Sequence, residues 1–412
     1  MRSKQKSCFQ RKGAMIAISF VGLAMILLSC GKAATTNALQ RSQPVQSPTL
    51  YLLSSQGGLY AVRADGKQLW QAPDGGNVGT IPPDGRHLIV TSQMIYVATD
   101  TVRAYSRDGQ LRWRNDLPTM AEDSLLVGST LYIAGGGTIT AWDTTTGTLR
   151  WQHNNIALVS ITALASDGQD LLVGGGNQVT ALTLTSGAQT WSMQGDPGET
   201  VKELFVEHAI VLLRTDASLT AAQAATGKAI WHRDSQVQAI SIDPAGIIYT
   251  VFVDVTSDSA TSGLRAIRLN TGAQLWAVPF PIDNGEIGSI SSMGILWAKS
   301  TSLTAWSLDG KQRWQMPYVG KPIENVVSID AQHLFVLASQ DGIITAIDAH
   351  QGHPLWQQRV PGGASSNVQV SVQPPLIWVL NKDTGDIGAF TFDGTRRWTL
   401  AGPPSLREIV IE

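Results

Sequence analysis

From Leu50 onward the chain is built of short runs rich in β-branched and aromatic residues, separated by turns rich in glycine, aspartate and threonine. Such runs predict β-strands joined by hairpins. Between Ser129 and Trp151 the runs STLYIA and TITAWD flank Gly135-Gly136-Gly137, which predicts a hairpin turn. Asp143-Thr-Thr-Thr-Gly147 then turns the chain again before LRWQH, glycine supplying the positive φ that a tight turn demands. Two stretches break this rhythm at the start. Residues 1–12 are basic and polar, and Ala14–Ser29 is an almost unbroken apolar run ending Leu27-Leu28-Ser29-Cys30. That run reads as a secretory signal, being shorter than the roughly 20 residues of a spanning helix.

The strand pattern repeats. Tryptophans stand at Trp70, Trp113, Trp151, Trp191, Trp231, Trp276, Trp314, Trp356 and Trp398, at intervals of 38 to 45 residues. Each is preceded four residues earlier by a glycine, from Gly66 to Gly394, and each glycine five or six residues earlier by an alanine, from Ala61 to Ala389. A period of about 41 residues is that of a four-stranded propeller blade. The expected fold is therefore an all-β propeller over residues 49–412, with nine repeats counted and an eight-bladed ring carrying one degenerate unit as the alternative. Blade 1 lacks a strand before Leu50, and Leu406–Glu412 follows the last tryptophan as a strand without a blade. Pairing the two closes the ring and leaves no open edge.

These residues resemble the tryptophan-docking motif of the PQQ-type β-propeller family, Ala-x-Asp-x-x-x-Gly-x-x-x-Trp. Ala141, Asp143, Gly147 and Trp151 fit it throughout. The resemblance implies indoles stacked on the alanine and on a glycine peptide of adjoining units. Asp348 is the other acid at the third position; the remaining units carry Arg63, Ser106, Thr183, Gln223, Arg268, Ser307 or Thr391, and are expected to lack that acceptor. Leu27-Leu28-Ser29-Cys30 likewise resembles the bacterial lipobox, which implies signal cleavage after residue 29, lipidation of Cys30 and a membrane anchor through that lipid.

Composition adds the compartment. Charged residues are only 15% and glycines number 40, a balance suited to many strands and tight turns rather than to a helical bundle. The first 29 residues hold five basic groups and no acid, so the body is left with 25 basic against 32 acidic side chains. That sign argues against nucleic acid as a partner. The two cysteines are Cys8 and Cys30, and the lipobox resemblance implies that the first is removed with the signal and the second blocked by lipid, so residues 49–412 have no thiol for a disulfide or thiolate metal site. Residues 30–48 are small, polar and proline-punctuated, a flexible tether of roughly 20 to 25 Å by random-coil scaling. The address is the extracytoplasmic face of a membrane, and the outer membrane if there is one, since no aspartate follows Cys30.

Candidate chemistry is sparse. Quinone-dependent relatives hold their cofactor beneath a vicinal cysteine pair, which this body cannot supply, so no cofactor is expected. His350 and His353 flank a turn; Asp254–Asp258 and Asn381–Asp386 are acidic loops with oxygen ligands but without EF-hand spacing, and strand-linking turns are the better reading. No catalytic or metal residue is assigned. Trp142, Trp297, Trp306 and Trp378 lie outside the docking positions, either in the core between blades or as stacking platforms for a ligand. The insertion 251–263 stretches one period to 45 residues and is the best candidate for a specific loop. The chain is similar to propeller lipoproteins of the outer-membrane β-barrel assembly machinery. That likeness implies a non-catalytic scaffold, monomeric in its body and bound to another envelope protein. A propeller enzyme acting on polysaccharide through carboxylates at the channel, and a small-ligand or glycan binder, are the alternatives.

Overall fold

A computed structural model describes residues 49–54, 57–72, 86–154, 156, 160–255, 260–279, 287–298, 302–318, 320–329, 332–402 and 406–411. The signal, Cys30 and tether assignments lie outside these residues. Among the described residues there are nine four-stranded antiparallel sheets, which form the nine blades of a propeller ring. No helix among them is long and apolar enough to cross a membrane. Blades 2 to 9 are each four consecutive strands, opening at Leu88, Asp123, Ala163, Val201, Gln236, Ile287, Ile323 and Val368. Blade 1 takes Thr49–Ser54, Leu59–Arg63 and Gln68–Ala72 from the N-terminal end of the body and borrows Leu406–Ile411 from the C-terminus. The borrowed strand pairs Leu50 with Ile411 and Leu52 with Ile409, so the ring closes as the sequence pattern predicts and the eight-bladed alternative falls.

Strand order within a blade follows from what each strand touches. First strands face one another across successive blades: the Leu164 N–H donates to Asp123 Oδ2 at 3.0 Å, and the Ser289 and Ser328 hydroxyls lie 2.9 Å apart. They are therefore innermost, and the fourth strands form the rim. Rim strands such as Leu111–Asp116 expose most of their side chains, while the second and third strands are buried almost throughout. Both faces of these middle strands are covered by neighbouring blades, so their sequences read as continuous apolar runs rather than a strict alternation. The core accordingly divides into nine apolar clusters, one per interface. The last joins Trp378 and Leu380 of blade 9 to Leu50, Leu52 and Val62 of blade 1.

Cross-strand register explains the alanine. In every blade an apolar second-strand residue, the alanine and the tryptophan stand directly opposite one another, and the first of these is aromatic in Tyr51–Ala61–Trp70, Tyr132–Ala141–Trp151 and Trp378–Ala389–Trp398. In these three blades the two large side chains meet over the small one, with ring centroids 5.4 to 6.0 Å apart. A larger residue at the middle position would push the rings apart. A register shift follows the alanine each time, between Ala141 and Trp142 for example, and swings the rim strand toward the next blade.

Candidate functional site

Each rim tryptophan reaches into the following blade. Its indole covers the turn glycine there, Trp70 on Gly109, Trp113 on Gly147, Trp151 on Gly187, and finally Trp398 on Gly66 across the ring closure. An added Cβ at any of the nine glycines would lie 2.4 to 2.8 Å from indole carbon, and all nine have positive φ, between 67° and 85°. Two demands thus fall on one residue, and only glycine meets both. Each indole N–H also donates to a carbonyl of that turn, at 2.5 to 3.1 Å, from Trp70 to Arg107 O round to Trp398 to Ala64 O. The result is a continuous girdle of nine tryptophans locking nine interfaces.

The turn acids are more widely supplied than the third motif position implies. Asp143 accepts from the Thr145 and Thr146 N–H groups and pairs with Arg150, which holds its carboxyl well below the usual range. Asp348 accepts from the His350 and Gln351 N–H groups. In blades 1, 2, 7 and 9 the acceptor is displaced rather than lost: Asp65, Asp108, Asp309 and Asp393 stand two residues later, and each bonds the third-position side chain. Lys311 and Ser307 together bring Asp309 down to about 2. Four of the seven blades expected to lack an acidic acceptor therefore have one.

The four remaining tryptophans are core residues. Trp142, Trp297, Trp306 and Trp378 are 1 to 6% exposed, packed in interfaces and unavailable as stacking platforms. The insertion is a regular hairpin, Ile247–Val255 paired with Ala260–Arg268, longer than its counterparts by continued pairing out to Val255 and Ala260. Asp254 on it bonds the buried Arg265, which stacks over Phe252 with its guanidinium carbon 3.6 Å from the ring centroid. That engagement makes Asp254 a strut. Asn381 is similarly committed: its Oδ1 accepts from the Asp383 and Thr384 N–H groups and its amide donates to Pro361 O. Asp258 lies outside the described residues. His350 meets His333 at 4.6 Å between ring centroids.

Near the axis a polar network crosses the ring closure. Glu408 of the borrowed strand accepts from the His87 and Leu88 N–H groups of blade 2, each at 3.0 Å. Arg86 grips Asp123 of blade 3 through two nitrogens, at 2.9 and 2.8 Å, and reaches Leu164 O of blade 4. Burial pushes the Glu408 carboxyl up to about 7, with Asp123 adding to the shift and Arg86 opposing it. Glu122 accepts from the Ile161 N–H. These carboxylates tie inner strands together, and sequence reading missed them because their partners come from other blades.

A third group was also missed. Asp196, His232 and Asp234 converge between blades 4 and 5, with His232 Nε2 at 3.3 Å from Asp196 and 3.0 Å from Asp234.

The family described as outer membrane protein assembly factor BamB matches residues 29–116, 98–242 and 260–408. No curated protein sequence matches the chain. Among solved structures, the computationally designed protein Ika8 is similar at 16% identity with a TM-score of 0.53, covering 76% of this chain and 98% of that one. BamB from Moraxella catarrhalis gives 18%, 0.49, 72% and 92% in the same order. The quinohemoprotein alcohol dehydrogenase ADHIIG from Pseudomonas putida HK5 gives 14%, 0.47, 83% and 68%.

Proposed function

The chain belongs to the family of outer membrane protein assembly factor BamB, and from that premise we propose that it is an exported, lipid-anchored scaffold that serves another envelope protein without catalysis of its own. Family membership carries this reading. Supporting it, the body has no cysteine after Cys30 for the vicinal pair of quinone enzymes, and its inner carboxylates are spent on neighbouring strands. In this reading Cys30 bears the lipid, residues 31–48 are the tether, and the body is a monomer that presents the loops of one face to its partner.

Crosslinking of the full-length protein in its native membrane, with mass spectrometry of what is captured and a Cys30→Ala form as control, tests it. The expected result is one dominant envelope protein, lost in the unanchored control. Equal capture by both forms, or none above background, overturns it.

A further inference from the structure

We propose that Asp196, His232 and Asp234, all exposed where blades 4 and 5 meet, form a binding site for a divalent transition-metal ion of the zinc class. The three donors come from two segments: Asp196 from the connection that enters blade 5, and the other two from the rim strand Ala229–Asp234. Their ligand atoms all lie within 4.8 Å of one another, with His232 Nε2 3.3 Å from Asp196 Oδ2 and 3.0 Å from Asp234 Oδ1. Two donors bound at about 2.1 Å to a tetrahedral ion stand roughly 3.4 Å apart. The two spacings to His232 Nε2 are thus close to the edge of a zinc tetrahedron.

The shell behind the donors is set for that role. His232 Nδ1 is held at 2.8 Å by the hydroxyl of Thr220, a residue only 8% exposed. A fixed contact on one ring nitrogen orients the other toward a metal. The Asp196 segment is pinned in turn by the Asn177 amide, which donates to the Gly195 and Asp196 carbonyls, each at 3.3 Å.

Comparison among blades supplies an independent argument. Blades 1, 3, 7 and 8 carry glutamine where blade 5 has His232. In blade 8 that amide donates to Thr345, the counterpart of Thr220, and in blade 3 it donates to Asn154, the counterpart of Asp234. Neutral amides therefore satisfy the same positions. Blade 5 replaces amide with imidazole and carboxamide with carboxylate, and adds Asp196, giving one imidazole and two carboxylates, a donor set of the kind that binds zinc.

Titration calorimetry of the full-length chain with zinc chloride, slightly above neutral pH where imidazole is unprotonated, tests the site. One ion per chain is expected. His232→Gln, which restores the side chain of four other blades, and Asp196→Asn should each weaken binding at least about tenfold, and Thr220→Val about tenfold through loss of ring orientation. Unchanged melting of His232→Gln separates loss of the site from loss of the fold. Binding must also tighten as pH rises through the imidazole range. Absence of zinc binding, or zinc binding that survives His232→Gln and Asp196→Asn, or binding abolished instead by His333→Gln, overturns the proposal and leaves the triad as an ion pair.

Discussion

The tryptophan girdle makes a quantitative prediction at the ring closure. Gly66 has φ +83°, and a Cβ placed on it would lie 2.7 Å from Trp398 Cδ2, with two further indole carbons at 3.0 Å. Gly128 has φ +56° and nothing within 4 Å of the same imagined atom. Alanine at Gly128 therefore meets only the left-handed backbone penalty, about 1 to 2 kcal/mol. Alanine at Gly66 meets that penalty and must also displace an indole whose N–H is bonded to Ala64 O, an overpacking cost of a further 1 to 3 kcal/mol or so. The expected order is a loss of about 2 to 5 kcal/mol for Gly66→Ala against about 1 to 2 for Gly128→Ala. Urea unfolding followed by tryptophan fluorescence reads both, with the midpoint converted through the shared slope. Equal midpoints for the two variants would refute the argument, since they would mean that the indole does not restrain the turn.

Three further outcomes follow from the same structure. Glu408 titrates near 7 in the folded chain against 4.5 as its ordinary value, so the native state binds the extra proton and stability falls as pH rises between those values. The shift corresponds to about 3 kcal/mol, and Glu408→Gln should flatten urea midpoints measured at either end of that window; a slope unchanged in the variant contradicts the assignment. Asp254→Ala leaves the guanidinium of Arg265, 3% exposed, without its carboxylate and should cost about 3 to 5 kcal/mol, most of it recovered in Asp254→Ala/Arg265→Met. Trp398→Ala removes an indole that seals the joint between the first and last blades, and a melting shift equivalent to about 3 kcal/mol or more is expected.

Why the architecture was legible and the polar sites were not follows from where partners lie in the sequence. The alanine, glycine and tryptophan of one unit sit within about ten residues of each other, and glycine is forced both by φ and by a neighbour's indole, so the pattern repeats without drift. The closing strand was legible for a related reason, because Leu406–Ile411 has a strand's composition and no blade of its own. The acids in the turns were only half legible. A shorter turn moves the carboxylate from the third motif position to Asp65, Asp108, Asp309 or Asp393 while preserving an acidic acceptor. The links Glu408–His87, Arg86–Asp123 and Asp196–His232 join residues 321, 37 and 36 positions apart. Each segment alone reads as an ordinary polar connection, and only the ring brings the members together.

That division bears on how a propeller with nine similar interfaces acquires a distinguishable surface. The girdle treats every interface alike, offering the same glycine, indole and carbonyl each time, so recognition must rest on departures from it. The departures are grouped. The inner network spans blades 1 to 4, from Glu408 through Arg86 and Asp123 to Leu164 O. The triad lies between blades 4 and 5, and the lengthened hairpin with its Asp254–Arg265 pair belongs to blade 6. The network and the hairpin both sit where inner strands begin and where second and third strands join, which assigns them to the same face of the ring. Asp196 and Asp234 adjoin that face as well, at the connections into and out of blade 5. A partner that reads this protein by position rather than by repeat therefore meets its most individual features on that face, and exposed substitutions there that spare the Glu408 and Asp254–Arg265 contacts, Asp196→Asn for example, should change capture in the membrane crosslinking experiment without moving the urea midpoint set by the girdle.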